Sequence, residues 1–297
     1  MRDIKQPIYC IYNTYMKERK IIMENKNFVN YYQNQEVLEE YDFHFAVAKE
    51  VEVMPESFLR QLSKDDWFWV SSAEGLSLEF IEKYQDEINW NCVSSNQRLP
   101  EYFIAKFADR VNWLLISEYQ KLSEEFIAKY SDKVYWTYIS KHQKISEDFI
   151  EKHSDLVDWS WISRNKGLSL EFIEKHSDKV NWNTICTYQK LTEDFIEAHS
   201  DFINWELVSQ WQKISEAFAV RHADLIDWYE LSGNIRLSED LLRAHENDID
   251  WYSASSTQVI PKDLVRAHAD ELCWEDIVIY QDHLSDEFLK EISDKIK

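Results

Sequence analysis

The sequence predicts an all-α fold: a right-handed α-solenoid of about ten 23-residue helix-turn-helix repeats with degenerate capping repeats. Three observations carry that prediction. Tryptophan recurs at one fixed interval, at Trp67, Trp90, Trp113, Trp136, Trp159, Trp182, Trp205, Trp228, Trp251 and Trp274. Between tryptophans, apolar residues fall at helical rather than alternating spacing. Residues that start helices stand at two fixed places in each interval. A strict period of this length marks a stacked array.

The elements follow in order along the chain. Residues 1–43 do not match the repeat and are rich in tyrosine, including Tyr9, Tyr12, Tyr31 and Tyr41. They read as an N-terminal extension, with a helix near 34–50 covering the open end of the core and Met23 as a candidate start of translation. Residues 44–66 read as a degenerate first repeat, with Phe45 in the tryptophan slot and Met54-Pro55-Glu56 at a helix start. Residues 67–297 are the ten tandem repeats, the last with one extra residue before Leu284-Ser285.

In the third copy, counted from Trp113 as slot 1, the apolar set is Trp113, Ile116, Leu122, Phe126, Ile127, Tyr130 and Val134. A first helix starts at slot 11, which holds Ser77, Ser123, Ser146, Ser169, Thr192, Ser215 and Ser238; a hydroxyl there accepts from the free N–H groups of the first turn. Glu or Asp follows, where the helix dipole favours negative charge. Pro100 and Pro261 fill the same slot, which suits a helix start. Glu79–Lys83, Glu125–Lys129 and Glu171–Lys175 are spaced for i,i+4 pairing. A second helix starts at slot 23, often Asn or Asp, and runs through the tryptophan to about slot 7. Each helix is expected to span roughly 8–10 residues, below the ~12–15 that isolated helices need, so stacking must stabilise them.

Composition narrows the function classes. The chain has 297 residues, 44% hydrophobic, with no apolar run approaching the roughly 18 residues of a membrane span. Together with the start, which lacks a signal-peptide pattern, this predicts a soluble protein of a bacterial or infected-host cytoplasm. Gly75, Gly167 and Gly233 are the three glycines and are far apart, which excludes a phosphate-cradling loop. Cys10, Cys92, Cys186 and Cys273 are equally scattered, which argues against a disulfide framework or a zinc site. The net charge is −22, a field that disfavours direct nucleic-acid or membrane binding and favours a protein partner with a basic surface.

The motif W-x-x-[IV]-S-x-x-Q-x-[LI]-S-E-x-F-I is carried well by Trp113 to Ile127 and by Trp136 to Ile150, and frays in the eighth and ninth copies. It resembles the short tryptophan-bearing helical repeats of large DNA viruses, bacteriophages and some bacteria. The resemblance covers about 230 residues. It implies a solenoid and a viral or mobile-element origin, and it implies no catalytic residue.

Each repeated polar residue invites a functional reading and a packing one. The tryptophans have apolar companions and read as framework. His153, His176, His199, His222, His245 and His268 share a slot with Tyr84, Phe107 and Tyr130, so that slot asks for an aromatic body and not for a metal ligand. Ser71, Ser94, Ser117, Ser140, Ser163 and Ser209 recur at slot 5, whereas an active site needs one asymmetric constellation. No catalytic, cofactor or metal residue is therefore expected.

The informative slots are those that vary while the framework holds. Slots 3 and 7 of the second helix carry the candidate partner-binding residues Trp69, Tyr119, Tyr138, His142, Trp161, Tyr188 and Trp211, aromatic types that dominate binding energy at interfaces. The leading expectation is a non-enzymatic scaffold gripping a protein through that face. The alternative is an acidic anti-defence inhibitor that mimics nucleic acid and blocks a DNA- or RNA-binding host protein. Basic residues interleaved along the first helices, such as Lys83, Lys106 and Lys129, weigh against an unbroken phosphate-like row.

Overall fold

The structure is a computed structural model that describes Ala48, residues 51–54 and residues 56–296. Residues 1–43, the helix expected near 34–50 (apart from Ala48), the start at Met23 and Phe45 in the tryptophan slot lie outside the described residues. Every regular element among the described residues is an α-helix. The chain divides into two compact units, Met1–Val157 and Asp158–Lys297, each a helical-repeat solenoid segment.

Two helix types alternate. In the first unit the tryptophan helices are Lys64–Ser72, Trp90–Asn96, Trp113–Tyr119 and Trp136–His142, and the acidic helices between them include Glu101–Lys106, Glu124–Lys129 and Glu147–Lys152. In the second unit the tryptophan helices run from Trp159–Ile162 through Trp182–Tyr188, Trp205–Trp211, Trp228–Asn234 and Trp251–Thr257 to Trp274–Tyr280. Within the first unit each tryptophan helix packs on the next, and the second unit repeats this from Trp182–Tyr188 onward.

The expected caps form at both starts. Ser123 Oγ accepts from the Phe126 N–H at 3.2 Å, and Asn112 Oδ1 accepts from Leu114 N–H at 3.1 Å. Ser238 is an exception and makes no side-chain cap bond. The helices are shorter than expected, six residues in Glu124–Lys129 and seven in Trp113–Tyr119. They end early because the backbone leaves the helical region at Tyr130 (φ −111°, ψ 31°) and at Gln120 (φ −91°, ψ 151°). The pairing expected of Glu79 with Lys83 is replaced by a contact between copies: Lys83 Nζ lies 3.1 Å from Glu56 Oε2. Lys129 instead lies over the Tyr130 ring, 5.3 Å from its centroid.

The core sits between the two helix types. In the first unit Ile116, Leu122, Phe126, Ile127 and Val134 are buried together, and in the second Ile185, Leu191, Phe195, Ile196 and Ile203 repeat the arrangement. Seven of the ten tryptophans are half-buried; Trp67, Trp228 and Trp251 are buried. The ladder therefore lines the rim of the core rather than lying wholly inside it. No described helix is long and apolar enough to cross a membrane.

Candidate binding face on the tryptophan helices

The framework slots are absorbed by packing. From Trp67 to Trp251 each indole lies against the slot 18 ring of its own copy: Trp113 on Tyr130 at 5.0 Å, Trp136 on His153 at 5.1 Å, Trp251 on His268 at 4.1 Å. The indole N–H reaches back to the preceding turn, as from Trp113 Nε1 to the Ala108 carbonyl at 2.8 Å. Slot 21 adds a further layer, with Phe202 stacked on Trp182 at 5.3 Å and Lys133 Nζ 6.0 Å from the Trp113 ring.

The histidine ladder follows the same logic. The Phe149 carbonyl accepts from His153 Nδ1 at 2.9 Å, so that ring is tethered to its own helix. His268 lies between Glu246 and Glu271, both at 2.9 Å. His222 Nε2 is buried with no hydrogen-bond partner, 4.0 Å from Glu197 Oε1. The shared feature is the stacked ring face. Among the described residues no three His, Cys, Asp or Glu side chains converge as a metal site would require.

Slot 5 serines join helix to helix. Ser117 is fully buried; its Oγ donates to the Trp113 carbonyl at 2.7 Å and accepts from the Tyr135 N–H at 3.0 Å. Cys186 takes this place in the sixth copy, where burial pushes its thiol above the ordinary range.

A third set of framework residues was present in the sequence motif without a role. Gln97, Gln120, Gln189, Gln212, Gln258 and Gln281, all at slot 8, are buried. Gln120 Oε1 accepts from the Leu99 N–H at 3.0 Å, while its Nε2 donates to the carbonyls of Ser94 and Gln97 at 2.9 and 2.7 Å. Gln212 and Gln281 repeat the pattern in the second unit. Each side chain therefore satisfies the end of the preceding tryptophan helix and the loop after it. The signal was the recurrence of glutamine at slot 8. Spacing alone gave no sign that the slot is buried.

The varied residues sit on the opposite side of these helices. Tyr119, Tyr188 and Trp211 are 56, 39 and 54% exposed, and His142 is exposed too. Trp69, Tyr138 and Trp161 are half-buried. In the first unit Tyr138 stacks on His142, with ring centroids 6.2 Å apart, and the Tyr119 hydroxyl is pushed up chiefly by the charge of neighbouring Glu118, with Tyr138 contributing. Trp69 lies apart from them, edge-on to Phe68 at 5.4 Å. In the second unit the Arg164 guanidinium is 4.6 Å from the Tyr188 ring and 5.7 Å from Trp161. Exposed apolar side chains also occur elsewhere, as at Tyr102 on an acidic helix.

The acidic helices carry their charge differently. Glu101 and Glu124 accept from the Ser123 and Ser146 N–H groups of the following copy, each at 2.5 Å. Lys106 pairs with Glu82, Lys133 with Asp109 at 3.0 Å, and Arg243 with Asp263 at 2.7 Å. Much of the carboxylate row is thus engaged by neighbouring copies. Comparison with protein-family models, curated proteins and solved structures finds no match to this chain.

Proposed function

We propose that the protein is a non-enzymatic helical-repeat scaffold that grips a macromolecular partner through the exposed face of its tryptophan helices. One observation carries this reading: large aromatics such as Tyr119, Tyr188 and Trp211 stand exposed at slots where the framework asks for no aromatic. Exposed Tyr and Trp are costly to leave in water and supply most of the energy of macromolecular interfaces. A protein with a basic surface, which the net charge favours, would be drawn first to the acidic helices.

Mimicry of nucleic acid by the acidic helices is the weaker reading. It needs free carboxylates, and those of Glu82, Asp109 and Asp263 already hold a base of an adjacent copy. Photo-cross-linking tests the choice of face. A photoreactive residue replacing Tyr119 or Tyr188 should give partner adducts in cell lysate, and one replacing Tyr102 on an acidic helix should give few. Adducts formed mainly from position 102 would overturn the proposal.

A further inference from the structure

The whole-chain charge conceals a local reversal. In the tryptophan helices and following turns of copies two to six (residues 90–98, 113–121, 136–144, 159–167 and 182–190), Glu118 is the one acid. Against it stand Arg98, Lys121, Lys141 and Lys144 in the first unit, and Arg164, Lys166 and Lys190 in the second, all exposed. Among the described residues, Arg98, Lys121, Lys144 and Lys190 form no ion pair with a carboxylate. Apart from Asp158, which caps the start of Trp159–Ile162, the other acids of these copies lie on the acidic helices and their turns.

These cations share the tryptophan helices and their following turns with the exposed rings. Between the seventh and eighth copies slot 9 meets slot 7: Lys213 Nζ donates to Asn234 Oδ1 at 2.8 Å, and Asn234 there takes the glutamine's part, donating to the Ser209 and Gln212 carbonyls. Arg98 and Tyr119, Lys121 and His142, and Lys190 and Trp211 occupy the same two slots in adjacent copies. Arg164 supplies the cation at Tyr188 directly.

Cations alternating with exposed rings suit a single nucleic-acid strand, whose phosphates meet the charges while its unpaired bases stack on the rings. An acidic peptide would satisfy the cations and leave the ring faces without flat partners. A duplex would keep its bases stacked within itself. The acidic helices lie one helix layer behind, about 8–10 Å away, comparable with the Debye length of about 8 Å at physiological salt. Screening over that distance weakens the field of the acidic helices at this face.

We propose that the tryptophan-helix face of copies two to four in the first unit, and that of copies five to seven in the second, each bind single-stranded nucleic acid, phosphates against Arg98, Lys121, Arg164 and Lys190, bases against Tyr119, Tyr188 and Trp211. This rests on the scaffold reading for its choice of face, and sets the local charge of that face above the net charge that favours a basic protein.

Fluorescence anisotropy of the full chain tests it, using labelled oligo(dT), oligo(U), a duplex of equal length and poly-glutamate. Both single strands should bind, with affinity falling steeply between about 50 and 200 mM salt. Trp211→Ala should weaken binding about five- to 150-fold, the loss of one stacked base. The double variant Lys121→Glu/Lys190→Glu should abolish it, with circular-dichroism melting unchanged because both lysines are exposed. Absence of binding to either strand, equal binding of poly-glutamate, or duplex binding indifferent to Trp211→Ala would each overturn the inference. Partner adducts from positions 119 and 188 that contain only protein would sink it too, while leaving the scaffold reading standing.

Discussion

The side chain of Gln120 makes three hydrogen bonds to the preceding copy, to the Leu99 N–H and to the Ser94 and Gln97 carbonyls. All three backbone groups would otherwise be without a partner at the end of a seven-residue helix and in the loop after it. Gln120→Leu keeps much of the volume and removes every partner. At roughly 1–3 kcal/mol per buried polar group left unsatisfied, loss of all three should cost about 3–9 kcal/mol in urea denaturation. Lys121→Ala, one residue on and exposed, should be nearly neutral. A loss below about 1 kcal/mol for Gln120→Leu would mean that water replaces the side chain. Glutamine at a fixed slot was legible in the sequence; its burial was not. The same letter serves equally on a solvated loop, and only the approach of a neighbouring backbone distinguishes the two.

At the scale of the element, the helix starts were readable residue by residue. Ser123 and Asn112 cap as their side-chain chemistry predicts, since each carries an acceptor where the first turn presents free donors. The helix ends were less readable. They depend on slot 18 and slot 8, where the chain turns to bring an aromatic ring onto tryptophan and a glutamine onto the previous copy. The copies lacking glutamine at slot 8 include the first and fifth, and these carry Gly75 and Gly167 at slot 9, with φ of 89° and 92°. An added Cβ at Gly167 meets nothing within 4 Å, so space is not the constraint. Gly167→Ala should still lose about 1–2 kcal/mol, the cost of left-handed backbone for an L-residue, measured by chemical denaturation. An unchanged midpoint would show that this turn relaxes at no cost.

Across the whole molecule, contacts run between neighbouring copies. Lys83 reaches Glu56, Gln120 reaches Ser94, and Lys133 reaches Asp109. Stability in such an array is a sum of copy and nearest-neighbour terms. Deletion of one whole period, residues 113–135, should therefore leave a folded, cooperatively melting protein, because the new neighbours present equivalent slots. Deletion of a half-period from the same copy should abolish cooperative melting, since every later slot would meet the wrong partner. Circular dichroism of both deletion variants against temperature checks the pair, and similar melting of the two would contradict nearest-neighbour register.

The all-helical class, the 23-residue register and the caps follow from the linear order of residues, because periodic burial and local capping are properties of short stretches. The candidate aromatics were also legible, since slots that vary stand out against a constant framework. Packing in space decided the rest: which tryptophans are fully covered, that histidines serve as stacked rings, that lysines pair between copies, and that Arg164 lies against the Tyr188 ring. Those outcomes depend on distances between residues about one period apart, and net charge carries no record of where on the surface each charge ends up.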